Sequence, residues 1–410
     1  MNHLNTLKQT GIALAVAQAV AINVSSAATI TVNNGRDAGV GCTFREAVAV
    51  VNAGTNQSNG CAINTNTDPL GTNDAIQFGV TGSTVSLTAG EILINSDLSI
   101  NPDGGAVTIT GIQTDRLLNI QSAAVSINSV TLTNGRGAVF GYSCTLTINN
   151  STISGNTAGF GGALSAFNSS VTLSNSTISS NTALLLGGGI DVSSSSLVLT
   201  NSTISDNFSD SDGGISAYSS TLTITNSTIS GNTALGECGA IGAGGGTSIA
   251  LYNNIIAGNR GLTRYGVSEL CLGASVVSQN NLIGDSGQTS DRAFGRVPIN
   301  GFSLDDNIIA TYDGNRPTPL ASILAPLADN GGPTQTHALV VGSPAINNGD
   351  NSICAAAPVN NLDQRGEVRP VGGNCDIGSF EIDLETILPE SDAGFFVVPL
   401  PDGKSVIFGL

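Results

Sequence analysis

Apolar and polar positions alternate with period two in short runs along this chain, and the runs recur at a fixed distance. Leu146 and Ile148, Val171 and Leu173, Leu197 and Leu199, and Leu222 and Ile224 are successive copies of one pair. A second set, Leu164 with Ala166, Ile190 with Val192 and Ile215 with Ala217, follows a Gly or Gly-Ala step in each copy. Spacing of two is the strand period. Between the pairs lie Asn-Ser and Gly-Gly turn signals. The motif Asn150-Ser151-Thr152-Ile153-Ser154-Gly155-Asn156 returns from Asn175, Asn201 and Asn226, and in degenerate form from Asn253, at steps of 25, 26, 25 and 27 residues.

A repeat of this length with three short strands predicts one coil of a β-solenoid. A propeller blade of the WD40 type needs ~40 residues and four strands, and the leucine-rich pattern is absent. Weaker copies carry the stack outward. Val85 with Leu87, Val107 with Ile109, and Val125, Ile127, Val130 and Leu132 precede it; Ile249, Leu251, Ile256, Leu282 and Ile283 follow. The expected fold is all-β, a right-handed parallel β-helix of some eight coils between residues 81 and 285. Stacking is what makes a coil stable: its inward Leu and Ile side chains are covered only by the coils above and below. The Asn columns at 150, 175, 201 and 226 and at 156, 181, 207, 232 and 259 are expected to stack as amide ladders.

Both open ends of such a rod need covering. Thr43 to Asn52 reads as a short amphipathic helix with Thr43 and Glu46 in capping-box register. It would cap the first coil from within residues 29–80. Residues 286–385 form a C-terminal capping region, and 386–410 a linker followed by a tail. In that tail, two apolar strands around Pro401-Asp402-Gly403 predict a hairpin. It reads either as a sorting or outer-membrane tail or as a cover for the last coil.

Composition narrows the compartment and the chemistry. A run from Gly11 to Val24, preceded by Lys8 and followed by Ser25, Ser26, Ala27 and Ala28, reads as a signal peptide over residues 1–28. Seven cysteines fit an oxidising compartment. Pairing of sequence neighbours gives Cys42 with Cys61, Cys238 with Cys271 and Cys354 with Cys375, and leaves Cys144 over. The net charge of −17 argues against nucleic acid as a partner. Lys8 and Lys404 are the only lysines, and His3 and His337 the only histidines, so no Lys or His base falls in the coils.

Specific end motifs sharpen this reading. Cys42-Thr43-Phe44-Arg45-Glu46-Ala47 resembles the CSLREA motif of bacterial secreted β-helix proteins, departing at Thr43 and Phe44. Leu327 to Leu339, Gly342 to Ile346, Asp363 to Gly366, Arg369-Pro370 and Cys375 to Glu381 resemble the choice-of-anchor Q domain of the same proteins. The repeats resemble those of polymorphic outer membrane proteins. The resemblance implies an exported bacterial protein, extracellular or on the outer-membrane surface, and supplies no agreed catalytic set.

Candidate chemistry is sparse, and no catalytic residue is assigned. Asp206, Asp210 and Asp212, with Asp191 one coil earlier, form the best acidic group and a weak Ca²⁺ candidate, although they lack the spacing of an EF-hand loop. Phe167 and Tyr218 align across Ser193 at an outward phase, where aromatic rings on a Ser/Thr/Asn ladder suit sugar stacking. Asp363, Arg365, Arg369, Asp376 and Glu381 read as an ion-pair network. The expectation is a non-catalytic surface or secreted β-helix that contacts polysaccharide or cell-surface glycan, with no obligatory cofactor. The alternatives are a Ca²⁺-dependent polysaccharide lyase or hydrolase and a structural envelope protein without a ligand.

Overall fold

The computed structural model describes residues 28–55, 60–64, 70, 73–79, 83–236, 238–263, 269–272, 275–294, 306–384, 395–399 and 405–409. All of the expected signal segment but its last residue, Ala28, and the linker Thr386–Asp392 lie outside the described residues. Within them the chain winds as a parallel β-helix. In one full coil, Val139–Tyr142 lies on a third sheet, Thr145–Asn149 on a first, Thr152–Ser154 on a second and Thr157–Phe160 on a fourth. Leu164–Phe167 then returns to the third. Among the described residues these sheets hold eleven strands (first), ten (second), eight (third) and five (fourth).

The register is the one implied by the repeat. Leu164 pairs with Ile190 and Ile190 with Ile215; Leu146 pairs with Val171, Leu197 follows, then Leu222. These inward side chains are buried and form one core from Ile30 to Ile309. Each fully buried Leu or Ile contributes roughly 1.5–3 kcal/mol. The short fourth sheet was not expected. Its inward positions are Ala158, Ala183, Ser209, Ala234 and Gly261, too small to register as a hydrophobic alternation.

Three corners per coil turn through the left-handed region. One column is Asn150, Asn175, Asn201, Asn226, Asn253 and Asn280, with φ between 45 and 54°. Asn is tolerated there without a helix-type penalty. A second column is Gly155, Ser180, Asp206, Gly231, Gly258 and Gly284. Of the two expected amide ladders, one forms. Asn156, Asn181, Asn207, Asn232 and Asn259 donate Nδ2 to the next Oδ1 at 2.9–3.0 Å as far as Asn259. In the other column the left-handed corner turns the amides outward. Asn201 donates to Leu362 O and Asn253 to Asp350 O, both in the C-terminal region. Serines supply the second internal ladder instead: Ser151 N donates to Ser176 Oγ, Ser176 N to Ser202 Oγ and Ser202 N to Ser227 Oγ.

The N-terminal end is closed by a helix, α1 (Phe44–Ala53), with both capping-box bonds between Thr43 and Glu46 and a left-handed C-cap at Gly54. Its buried face, Phe44, Ala47, Val48, Val50 and Val51, covers the core, with Phe44 and Phe78 rings 5.7 Å apart. Arg45 clamps the helix to the first coils through Asp37, Gly90 O and Glu91 O. Thr29–Val32 already pairs in parallel with Asp74–Phe78 on the first sheet. The three disulfides are Cys42–Cys61, Cys238–Cys271 and Cys354–Cys375, and Cys144 is free and buried.

The C-terminal region lies along the flank of the second sheet. Gln364 Oε1 accepts from Thr203 Oγ1 at 2.7 Å, and Gln364 Nε2 donates to Thr177 Oγ1 at 2.9 Å. Ile255 and Leu282 join Ile323, Leu339, Ile377 and Phe380 in a second core. The outward Thr and Ile positions of the repeat motif are therefore buried. Phe395–Pro399 and Ser405–Gly409 pair as an antiparallel hairpin.

Candidate functional site

The outward positions of the third sheet build a groove. Period two sends Leu164 and Ala166 inward, and so sends Ser165 and Phe167 outward. Stacking extends Ser165 into a column with Asp191, Ser216, Gly242 and Cys271. Phe167 extends into a column with Ser193, Tyr218 and Gly244. Leu186, the last residue of the fourth-sheet strand Thr182–Leu186, and the loop residues Ser211, Asp212 and Cys238 line one side. The recess between has a volume of about 450 Å³.

Phe167 and Tyr218 stand where the repeat places them, 37% and 61% exposed. They are two strands apart, ~9.6 Å along the sheet, with Ser193 between them. Asp191 and Asp212 form the floor and wall. Asp191 is 6% exposed and Asp212 8%. Ser165 Oγ donates to Asp191 Oδ2 over a long 3.4 Å. Burial, together with the charge of Asp212, pushes the Asp191 carboxyl up to about 6. The carboxylate of Asp212 occupies the space over Gly242, where any Cβ would overlap Oδ1. Glycine at 242 is thus what lets Asp212 enter the groove.

A second recess of about 370 Å³ continues the groove toward the N-terminal end, sharing Phe160 and Phe167 with the first. The Phe140 and Phe167 rings are 6.2 Å apart, and the Arg116 guanidinium lies 4.5 Å over Phe140. Glu91 accepts from Asn119 Nδ2 at 2.8 Å and stands 3.9 Å from Arg116.

The structure corrects the acidic grouping. Asp206, Asp210 and Asp212 are close in sequence but sit at different parts of the coil. Asp206 is a left-handed corner residue after the second sheet; its Oδ2 accepts from Ser205 Oγ at 3.0 Å. Asp210 follows the fourth-sheet strand Phe208–Ser209, and Asp212 enters the third-sheet groove. Among the described residues no group of three His, Cys, Asp or Glu side chains is placed to hold a metal ion. Of the grouped aspartates, Asp191 and Asp212 do line one recess; Asp191 shares an outward column with Ser165 and Ser216. Gly242 and the Phe140–Arg116 recess were not anticipated.

Other titratable groups serve the scaffold. His337 Nε2 is 2.9 Å from Ser205 Oγ and Nδ1 is 2.7 Å from Ala325 O, and burial lowers its pKa. It stands on the second-sheet flank, away from the groove. Arg365 pairs with Asp363 at 2.7 Å and lies over Phe380; Arg369, fully buried, stands 3.6 Å from Glu381. The expected network is present, and it ties the C-terminal region together.

These coils coincide with a known sequence pattern. The family model described as the right handed beta helix region matches residues 92–256 and 161–311, together more than half of the chain. Among solved structures, the crystal structure of pectate lyase Pel9A is similar at 14% identity, covering 76% of this chain and 88% of that one, with a TM-score of 0.40. No curated protein matches the chain. Coil spacing and register continue through all the residues that the family pattern matches, and the chain belongs to the right-handed β-helix family.

Proposed function

We propose that this protein is a non-catalytic β-helix, exported by a bacterium to its surface or surroundings, that contacts glycan chains along the third-sheet groove. The observation that carries this reading is the outward column Phe167–Ser193–Tyr218, two exposed rings on one face of a rigid ladder. Rings held on strands lose little freedom on contact with a sugar face. Three disulfides fit an oxidising compartment. The resemblance of the end motifs to CSLREA and choice-of-anchor Q proteins supports export and surface association, with the terminal hairpin as the candidate for outer-membrane association. Binding to a panel of immobilised polysaccharides tests the proposal. Retention that Phe167→Ala and Tyr218→Ala each weaken by about five- to tenfold supports it. Retention indifferent to both substitutions contradicts it.

A second reading is favoured by Asp191 and Asp212. A carboxyl raised to about 6 beside a second carboxylate is the pairing that acid–base hydrolysis of a glycosidic bond uses. Release of new reducing ends from a polysaccharide, abolished by Asp191→Asn, would establish it in place of the non-catalytic reading.

A further inference from the structure

We infer that Tyr142 is a third glycan-contact residue and that Tyr142, Phe167 and Tyr218 hold one extended β-1,4-linked chain parallel to the axis of the rod. The three rings then lie under sugar units n, n+1 and n+3. The inference rests on the groove being a glycan site, and it names the class of glycan and its direction.

Four observations carry it. First, the stacking column is longer than two rings. Tyr142 pairs with Phe167, Phe167 with Ser193 and Ser193 with Tyr218, all at outward positions of the third sheet. Tyr142 is 49% exposed, more than Phe167. Second, the shape of the sheet selects the direction. Each of these strands has four residues and so two outward positions, Phe140 and Tyr142 in the first of them. The chain then turns away through a left-handed corner at Ser143, Asn168, Ser194 and Ser219. A ligand lying along one strand meets a single ring of the column, whereas one lying along the axis meets all three. The two recesses are joined in the same direction, through Phe160 and Phe167. Third, the spacing is that of a chain. The rings stand one and then two strand steps apart, ~14 Å from first to last. One step is close to the advance per unit of an extended β-1,4-linked hexose ribbon. A coiled α-linked chain turns its ring faces away from such a straight row. Fourth, two of the rings are held before a ligand arrives. Phe167 lies 6.2 Å from the Phe140 ring, and Tyr218 lies against Gly245, where a Cβ would come within 2.7 Å of the ring carbons Cε2 and Cζ. A ring already fixed loses little freedom on stacking. From Gln121 to Gly244 the column carries no charged side chain, so ring faces do the holding.

The experiment is calorimetric titration of the full chain with β-1,4-linked glucose and N-acetylglucosamine oligomers of two and four units. A dimer covers Tyr142 and Phe167, and a tetramer also reaches Tyr218. The expected result is a tetramer that binds about five- to tenfold tighter than the dimer in at least one series. In that series Tyr218→Ala brings the tetramer down to the dimer's affinity and leaves the dimer unchanged. Tyr142→Ala weakens both by about five- to tenfold, and Tyr142→Phe keeps the wild-type affinities. All three side chains are exposed, and an unchanged melting temperature in each variant ties a loss to the ring itself. Equal affinities for dimer and tetramer, or indifference to Tyr142→Ala, overturn the axial register and leave glycan binding standing. No binding of any oligomer overturns the inference; the glycan reading itself falls only when the wild-type chain also retains no polysaccharide of the panel.

Discussion

Asn207 holds four hydrogen bonds through one buried amide. It donates to Asn232 Oδ1 and Ile178 O, and its Oδ1 accepts from the backbone and side chain of Asn181. Replacing it with Ala leaves donors and acceptors in two neighbouring coils without partners. Asn207→Ala is expected to cost about 3 kcal/mol or more, read from chemical denaturation. Thr145→Ala, at an exposed strand position, should stay within about 0.5 kcal/mol. The ladder was legible in the sequence because five Asn residues keep one phase. What the sequence left hidden was which of two equally regular Asn columns would ladder. Backbone conformation decides that: the column at Asn150, Asn175 and Asn201 is spent on left-handed corners, which point its amides away from one another. The aspartates teach the same lesson. Asp206 and Asp212 are neighbours in the chain, yet Asp206 is a corner residue and a strand separates the two, while Asp212 and Asp191, a coil apart in sequence, line one recess.

Among elements, the two ends of the chain are held by different physics. The cap α1 depends on local signals that a sequence displays openly, and the observed capping box is the predicted one. Thr43→Ala removes the acceptor for Glu46 N, and a loss of about 1 kcal/mol in stability is expected from thermal or denaturant unfolding. The C-terminal region depends on a buried charge cluster and on long-range docking. Arg369 donates to Gly378 O through both terminal nitrogens while Glu381 stands beside it and accepts from Val371 N and Asp376 N. Arg369→Met would leave Glu381 buried without its counter-ion, at a cost of about 3–5 kcal/mol. Limited proteolysis should then cut the C-terminal region first, while far-ultraviolet dichroism of the solenoid persists. Simultaneous loss of both would show that region and rod unfold as one. That this region lies along the second sheet could not be read from the chain. The threonines it covers, Thr177, Thr203 and Thr228, look like ordinary outward positions of a polar strand.

At the scale of the molecule, charge and burial act together. The amide ladder ends on Glu269, fully buried, whose carboxylate oxygens accept from Asn259 and Gln288, both at 2.6 Å. Burial pushes this carboxyl up from 4.5 to about 8. Between those values the folded chain holds a proton that the unfolded chain has released, so stability falls as pH rises through that window. The surface charge of −17 adds repulsion in the same direction. Melting temperature is therefore expected to decline from about pH 4.5 to about pH 8. Glu269→Gln, which keeps the hydrogen-bonding shape without the charge, should flatten that decline. An unchanged slope in the variant would remove Glu269 from the account. The long axis of the rod supplies the other property of the whole: a groove that runs across several coils and shares Phe160 and Phe167 between its two recesses.

That groove is the central claim, and its direct test is side-by-side binding of the full chain and the Phe167→Ala/Tyr218→Ala double variant to one polysaccharide panel. The account predicts that the wild-type chain retains at least one glycan and that the double variant loses that affinity by about 25- to 100-fold, with its melting temperature unchanged. Equal retention by both proteins, or retention of no glycan by the wild type, would contradict it.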